Sequence, residues 1–164
     1  MQSPDLTALA LRNILNELLD GAANDVAFVL NPGDRGLLKS LAALSAEQAS
    51  KMPEAGGSSI AAHIEHLRYG LHVLNRWAGG DQNAFANANY AASWRLTHVS
   101  DSEWANRVDQ LRREATFWRA NVVRPRDLDE VEATGMIASV VHLAYHIGAI
   151  RQMDRVLRGP AARD

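Results

Sequence analysis

Residues 104–122, WANRVDQLRREATFWRANV, carry Trp104, Val108, Leu111, Ala115, Trp118 and Val122 at alternating spacings of four and three. An α-helix completes a turn every 3.6 residues, so this spacing holds all six side chains on one face. The stripe reads as the seam of a helical bundle. Asp101 is the expected N-cap, and the helix reaches about Val122 before Pro125 stops it. Proline has no backbone N–H and its ring collides with the preceding turn, and it also biases Arg124 away from helical geometry.

Three further long helices follow from the same periodicity. The first is expected from Pro4 to Leu19, capped by Ser3 and striped by Leu11, Ile14, Leu15, Leu18 and Leu19. The second runs from about Ser59 to Ala78 and ends at Gly79-Gly80, with Ile60, Ile64, Leu67, Leu71 and Leu74 on one face. The fourth runs from about Leu128 to Leu157; its middle, Met136 to Ile150, is apolar nearly all round, as for a helix buried on more than one side. Between the first two lie a turn at Asn31-Pro32-Gly33, a short helix from Gly36 to about Leu44, and a capping box of Ser45 with Gln48. Residues 81–100 form a long polar connection, with Trp94 as a packing anchor. Strand signals are poor. The expected architecture is all-α: one domain over residues 1–164, a four-helix bundle with a long crossover connection between helices 2 and 3.

Composition narrows the function. Seventeen Lys and Arg against nineteen Asp and Glu leave no basic excess to attract a phosphate backbone, so no nucleic-acid partner is expected. The chain has no cysteine, which excludes disulfides, zinc ribbons and a cysteine nucleophile. No apolar run approaches the roughly 18 residues that span a bilayer, and the N-terminal MQSPDLTAL lacks the features of a signal peptide. The expectation is a cytoplasmic protein without a membrane partner.

The sharpest chemical signal is HLAYH, residues 142–146. Histidines four apart on a helix lie about 40° apart around the axis, so His142 and His146 can face one ion. Gly135, Ser139 and Ala149 share their stripe, and such small residues leave volume beside the pair. The bland reading is two core histidines bonded to their neighbours. A metalloprotease is excluded, because Leu143 stands where its glutamate would be. A third ligand must come from another helix, and the second offers His63 and His66; the wheel does not choose between them. Three neutral imidazoles would suit Zn²⁺, Ni²⁺ or Fe²⁺ and leave coordination positions open. His72 and His98 read as solvated side chains, Trp104 and Trp118 as core, Arg151 as a surface ion pair and Tyr145 as structural.

SSIAAHIEHL after a Pro/Gly-rich loop, SWRL and SEW in the central connection, and HLAYHIGAIRQM in the last helix resemble the DinB/YfiT-like superfamily of small four-helix metal-binding proteins. The late motif, usually H-x-x-Y-H-x-G-Q-I, matches at His142, Tyr145, His146, Gly148 and Ile150. The resemblance implies one divalent metal held by a histidine of the second helix and two of the fourth. The first normally lies seven residues after the Ser or Thr opening its helix; from Ser59 that is His66. The implied set is His66, His142 and His146, with His63 beside it. Ala149 departs from the family's usual glutamine, which weakens any substrate preference taken from relatives.

The resemblance also implies an activity of the thiol S-transferase, isomerase or hydrolase type, with a small-molecule substrate and a low-molecular-weight thiol supplying the sulfur that the chain lacks. The competing expectation is a non-catalytic metal-binding or stress-response bundle acting as a homodimer, its apolar fourth helix forming the interface. The two separate on whether the ion keeps exchangeable coordination sites.

Overall fold

The computed structural model describes residues 5–22, 26–54 and 56–162, and all regular structure among them is helical. Chain order is α1 (Leu6–Asp20), α2 (Gly36–Leu41), α3 (Ala46–Ser50), α4 (Ile60–Ala78), α5 (Tyr90–Ser93), α6 (Asp101–Asn121) and α7 (Glu130–Met153), closed by a 3₁₀ turn at Arg155–Leu157. The expected Ser3 cap and Pro4 lie outside the described residues; the cap on α1 is Asp5, whose side chain accepts from the Thr7 N–H. At α6 the cap is Ser100, one residue before the expected Asp101. Its hydroxyl accepts from the Glu103 N–H while the Glu103 carboxylate accepts from the Ser100 N–H. A capping box satisfies two orphan donors at once, which outweighs the single bond Asp101 could offer. Asp129 and Glu132 form the same box at the start of α7, and Ser45 with Gln48 forms it at α3.

The seam of α6 is buried as the spacing requires: Leu111 and Val122 lose nearly all exposure, and so do Trp104 and Trp118. Their indole N–H groups need acceptors in that apolar setting. Trp104 donates to the Leu44 carbonyl at 3.0 Å and Trp118 to the Ser139 hydroxyl at 3.0 Å. These side chains join Leu15 and Leu18 of α1, Ile60 and Ile64 of α4, and Leu143 and Ile147 of α7 in one hydrophobic core.

Polar pairs fix the helix directions. Glu65 meets Arg107, His72 meets Glu114 and Asn75 meets Asn121, so α4 and α6 run parallel. His63 meets His146 and His66 meets His142, so α4 and α7 run antiparallel. Two consecutive long helices in parallel require the intervening residues 79–100 to return along the length of α4. That segment carries the short helix α5, for which no periodic apolar stripe gives a signal in the sequence. His72, expected in solvent, is bonded to Glu114 at 3.0 Å.

One close approach ties α1 to α2. Gly21 and Gly36 both have positive φ, and a Cβ on Gly36 would stand 2.3 Å from the Gly21 nitrogen. Only glycine fits there. The buried Glu17 carboxylate accepts from the N–H groups of Phe28, Val29 and Leu30, holding the adjoining loop. Arg151 pairs with the buried Asp34 at 2.9 Å, an inward tether where the sequence suggested a surface pair.

The fourth long helix is not buried on more than one side. Ile137, Val141 and Tyr145 form an exposed stripe on α7, with Val141 62% and Tyr145 69% exposed. By length and composition α7 could also cross a bilayer, although no continuous apolar run of that length exists. A single such helix is a weak membrane signal, because a helix contributing to a protein core passes the same test.

Leu111 is fully buried in the seam, and truncating it opens a cavity that close-packed neighbours only partly fill. Leu111→Ala is expected to lower stability by about 2–5 kcal/mol in urea denaturation while leaving the helical circular-dichroism spectrum of the folded state unchanged.

Candidate metal centre

Antiparallel packing of α4 on α7 sets His66 against His142 and His146. His66 is buried, with 8% of its surface exposed; His146 is buried further and His142 is the most open. The Nε2 atoms of His66 and His142 stand 3.2 Å apart, and those of His142 and His146 stand 2.9 Å apart. One nitrogen from each of the three rings falls within 4.8 Å of the others, so the group could hold a metal ion. Two nitrogens at about 2.0–2.1 Å from one tetrahedral zinc would be about 3.3 Å apart, close to these spacings.

The Ser93 hydroxyl donates to the Tyr90 carbonyl at 2.6 Å, so its oxygen accepts from His66 Nδ1–H at 2.9 Å. With the proton on Nδ1, a neutral His66 presents a lone pair at Nε2. His142 Nε2 then faces two nitrogens with at most one hydrogen of its own. If it carries a hydrogen, that one N–H is divided between two neighbours; if it carries a lone pair, it opposes the lone pair of His66. A cation at the centre would remove that conflict, held by His66, His142 and His146 through three Nε2 lone pairs once His142 carries its proton on Nδ1.

The outer partners have the arrangement a metal site needs, with the far nitrogen of a ligand ring held by a hydrogen bond. Ser93 does this for His66. His63 does it for His146, its Nδ1 lying 2.8 Å from His146 Nδ1. When His146 Nδ1–H donates in that pair, its Nε2 is free for an ion. The helical wheel places His63 nearer the centre of the buried face without choosing a ligand; the structure puts His66 in the three-histidine group and His63 behind it.

Trp94 stacks on His66 with ring centroids 4.3 Å apart and meets His63 edge-on at 5.1 Å. It is a packing anchor, as expected, but what it anchors is the histidine cluster. The Tyr69 hydroxyl accepts from the Asn89 N–H at 2.8 Å, fixing the start of α5 and through it Ser93 and Trp94. Sequence reasoning gave Ser93 no chemical role. The signal available was its place in the SWRL motif, next to Trp94. Tyr145 packs edge-on against His146 at 5.1 Å while remaining exposed.

Burial, then the other histidines, holds the cluster in the neutral form that ligates metals. Desolvation followed by His142 and His63 brings His66 down to about 4. Desolvation followed by His142, His63 and His66 brings His146 down to about 3. His63 and His142 are also lowered, in both cases by burial.

A cavity of about 380 Å³ opens beside His66 and His142, with Gly135, Ala138 and Ser139 on the α7 wall. Of the small residues on the histidine stripe, Gly135 and Ser139 border this volume and Ala149 does not. No protein-family model, curated protein or solved structure matches this chain.

The lowered histidines carry a sign for acid stability. In the unfolded chain they protonate near 6.5, whereas in the folded metal-free protein they stay neutral down to about 4 and 3. The unfolded state therefore takes up protons first as the pH falls. Chelator-treated protein should melt at a constant temperature above about pH 7 and at falling temperatures from about pH 6.5 toward 4. His146→Ala should flatten that slope. Removing an outer partner by Ser93→Ala or His63→Ala should weaken zinc binding about 10–100-fold by calorimetry, with the ligand histidines intact.

Proposed function

We propose that the chain is a divalent-metal-binding protein of the DinB/YfiT-like type, a single four-helix bundle domain with a crossover between its second and third long helices. His66, His142 and His146 are its metal ligands. The observation that carries this reading is the convergence of three imidazole nitrogens, with at most one hydrogen at His142 Nε2 to share between two short contacts, beside an open cavity. An all-imidazole set favours Zn²⁺, Ni²⁺ or Fe²⁺ over Mg²⁺ or Ca²⁺, which prefer oxygen ligands.

The cavity supports an enzyme rather than a purely structural site, because a structural ion is enclosed by protein ligands on all sides. A bound divalent ion would supply Lewis acidity and favour the anionic form of a sulfur or oxygen donor at neutral pH. The chain's own residues hold and orient. Ser93 and His63 fix the ligand rings, Trp94 shields His66, and the partly exposed His142 borders the side from which substrate enters. With no cysteine in the sequence, thiol chemistry requires an external low-molecular-weight thiol. The reaction class that the DinB/YfiT-like resemblance implies is thiol S-transfer, isomerisation or hydrolysis on a small molecule. The exposed Ile137, Val141 and Tyr145 stripe supports a homodimer built on α7.

Metal analysis of the purified protein tests the assignment. About one equivalent of metal per chain is expected, with loss of most of it in His66→Ala, His142→Ala and His146→Ala. Wild-type protein that carries and binds no metal, or variants that retain it, overturn the site. Metal-dependent consumption of a free thiol in the presence of an electrophile would then separate S-transfer from a non-catalytic role.

A further inference from the structure

The cavity at the histidine cluster continues past it. Its walls are Leu67, Gly70, Leu71 and Leu74 of α4 facing Gly135 and Leu143 of α7, with Phe85 and Tyr90 of the connection at the side. A second volume of about 350 Å³ shares Leu74, Phe85 and Gly135 with the first and ends at Trp77, Val131 and Met136. Together they form an elongated groove between α4 and α7. Glu132, at the far end, is the one charged residue among those lining the two volumes.

Two glycines keep this groove open. Glycine inside a helix is unfavourable relative to alanine. Yet a Cβ added at Gly70 or at Gly135 would meet nothing within 4 Å. Neither is required by a close helix crossing; what each leaves is empty apolar space. At the inner end sits His66, 8% exposed, its Nε2 lone pair aimed at the cluster. The exposed stripe of α7 is a separate feature. At about 100° per residue, Ile137 and Val141 lie roughly 160° around the helix from Gly135 and Ser139, so a second copy docked there would not enter the groove.

From this continuity we infer that the ligand of this protein is an amphiphilic small molecule. Its head carries an oxygen or sulfur donor for the ion held by His66, His142 and His146, and its unbranched apolar tail lies between Gly70 and Gly135. The inference rests on the metal reading for the head group alone. The groove's volume is in the range that encloses most of a small ligand. From His142 to Gly135 is about 10 Å along the helix, and to Val131 about 16 Å, which bounds the tail length.

Calorimetry of Zn²⁺-loaded protein with acetohydroxamate and straight-chain alkyl hydroxamates of increasing length tests this. Affinity is expected to rise about threefold to fourfold per methylene until the tail reaches the Trp77 end. Gly135→Leu and Gly70→Leu should each abolish the gain for long chains, read as the ratio of long-chain to acetohydroxamate affinity within the same variant. Gly135→Ala serves as the folded control. Affinity independent of chain length, or a chain-length slope unchanged in both leucine variants, overturns the inference while the metal assignment stands. In a second arm, octan-1-ol is titrated into metal-free protein and followed by NMR at the Gly70 and Gly135 amides. Shifts at both amides support the groove even if no ion is retained, in which case the metal reading alone fails; no shift at either overturns the groove.

Discussion

Three imidazole nitrogens facing one another across the α4–α7 contact constrain this protein more than any other interaction. Nitrogens 2.9 and 3.2 Å apart must either share a hydrogen or share a cation, and a single N–H at His142 can point fully at only one of its two neighbours. Much of the surrounding structure bears on that meeting. The capping boxes set where α6 and α7 begin, the Trp104–Trp118 seam packs α6 into the common core, and the parallel course of α4 and α6 sends residues 79–100 back along α4. That return is what brings Ser93 and Trp94 to His66.

The polar outer partners and the apolar groove have different origins. Ser93 and His63 act through single hydrogen bonds that select which ring nitrogen carries a proton. The groove arises from missing atoms, the absent side chains of two helical glycines and the small side chains of Ala138 and Ser139. A helix interior with leucine at these positions would bury more apolar surface. Keeping the space open is consistent with a ligand that fills it.

Exposure on α7 shows how a helix can carry three environments at once. Met136, Val140, Leu143 and Ile147 face the core, His142 and His146 face the cluster, and Ile137, Val141 and Tyr145 face outward. From sequence these merge into a helix apolar nearly all round, which is why burial on more than one side was expected. The periodicity of apolar residues vanishes when the outward face is itself apolar, and only packing distinguishes the faces.

The sequence by itself determined the four long helices, the seam of α6 and the HLAYH pair, because these depend on spacing within one helix and on local capping and breaking residues. It also excluded cysteine chemistry outright. Local rules could not choose between His63 and His66, since both lie on the same flank of α4; motif resemblance pointed to His66, and the antiparallel register of α4 against α7 placed it beside His142 and His146. The tertiary structure alone decided the roles of Ser93 and Trp94, the pairing of Arg151 with Asp34 and of His72 with Glu114, and the continuity of the groove. Each of these joins residues far apart in the chain, and no periodicity within one segment encodes how such segments meet.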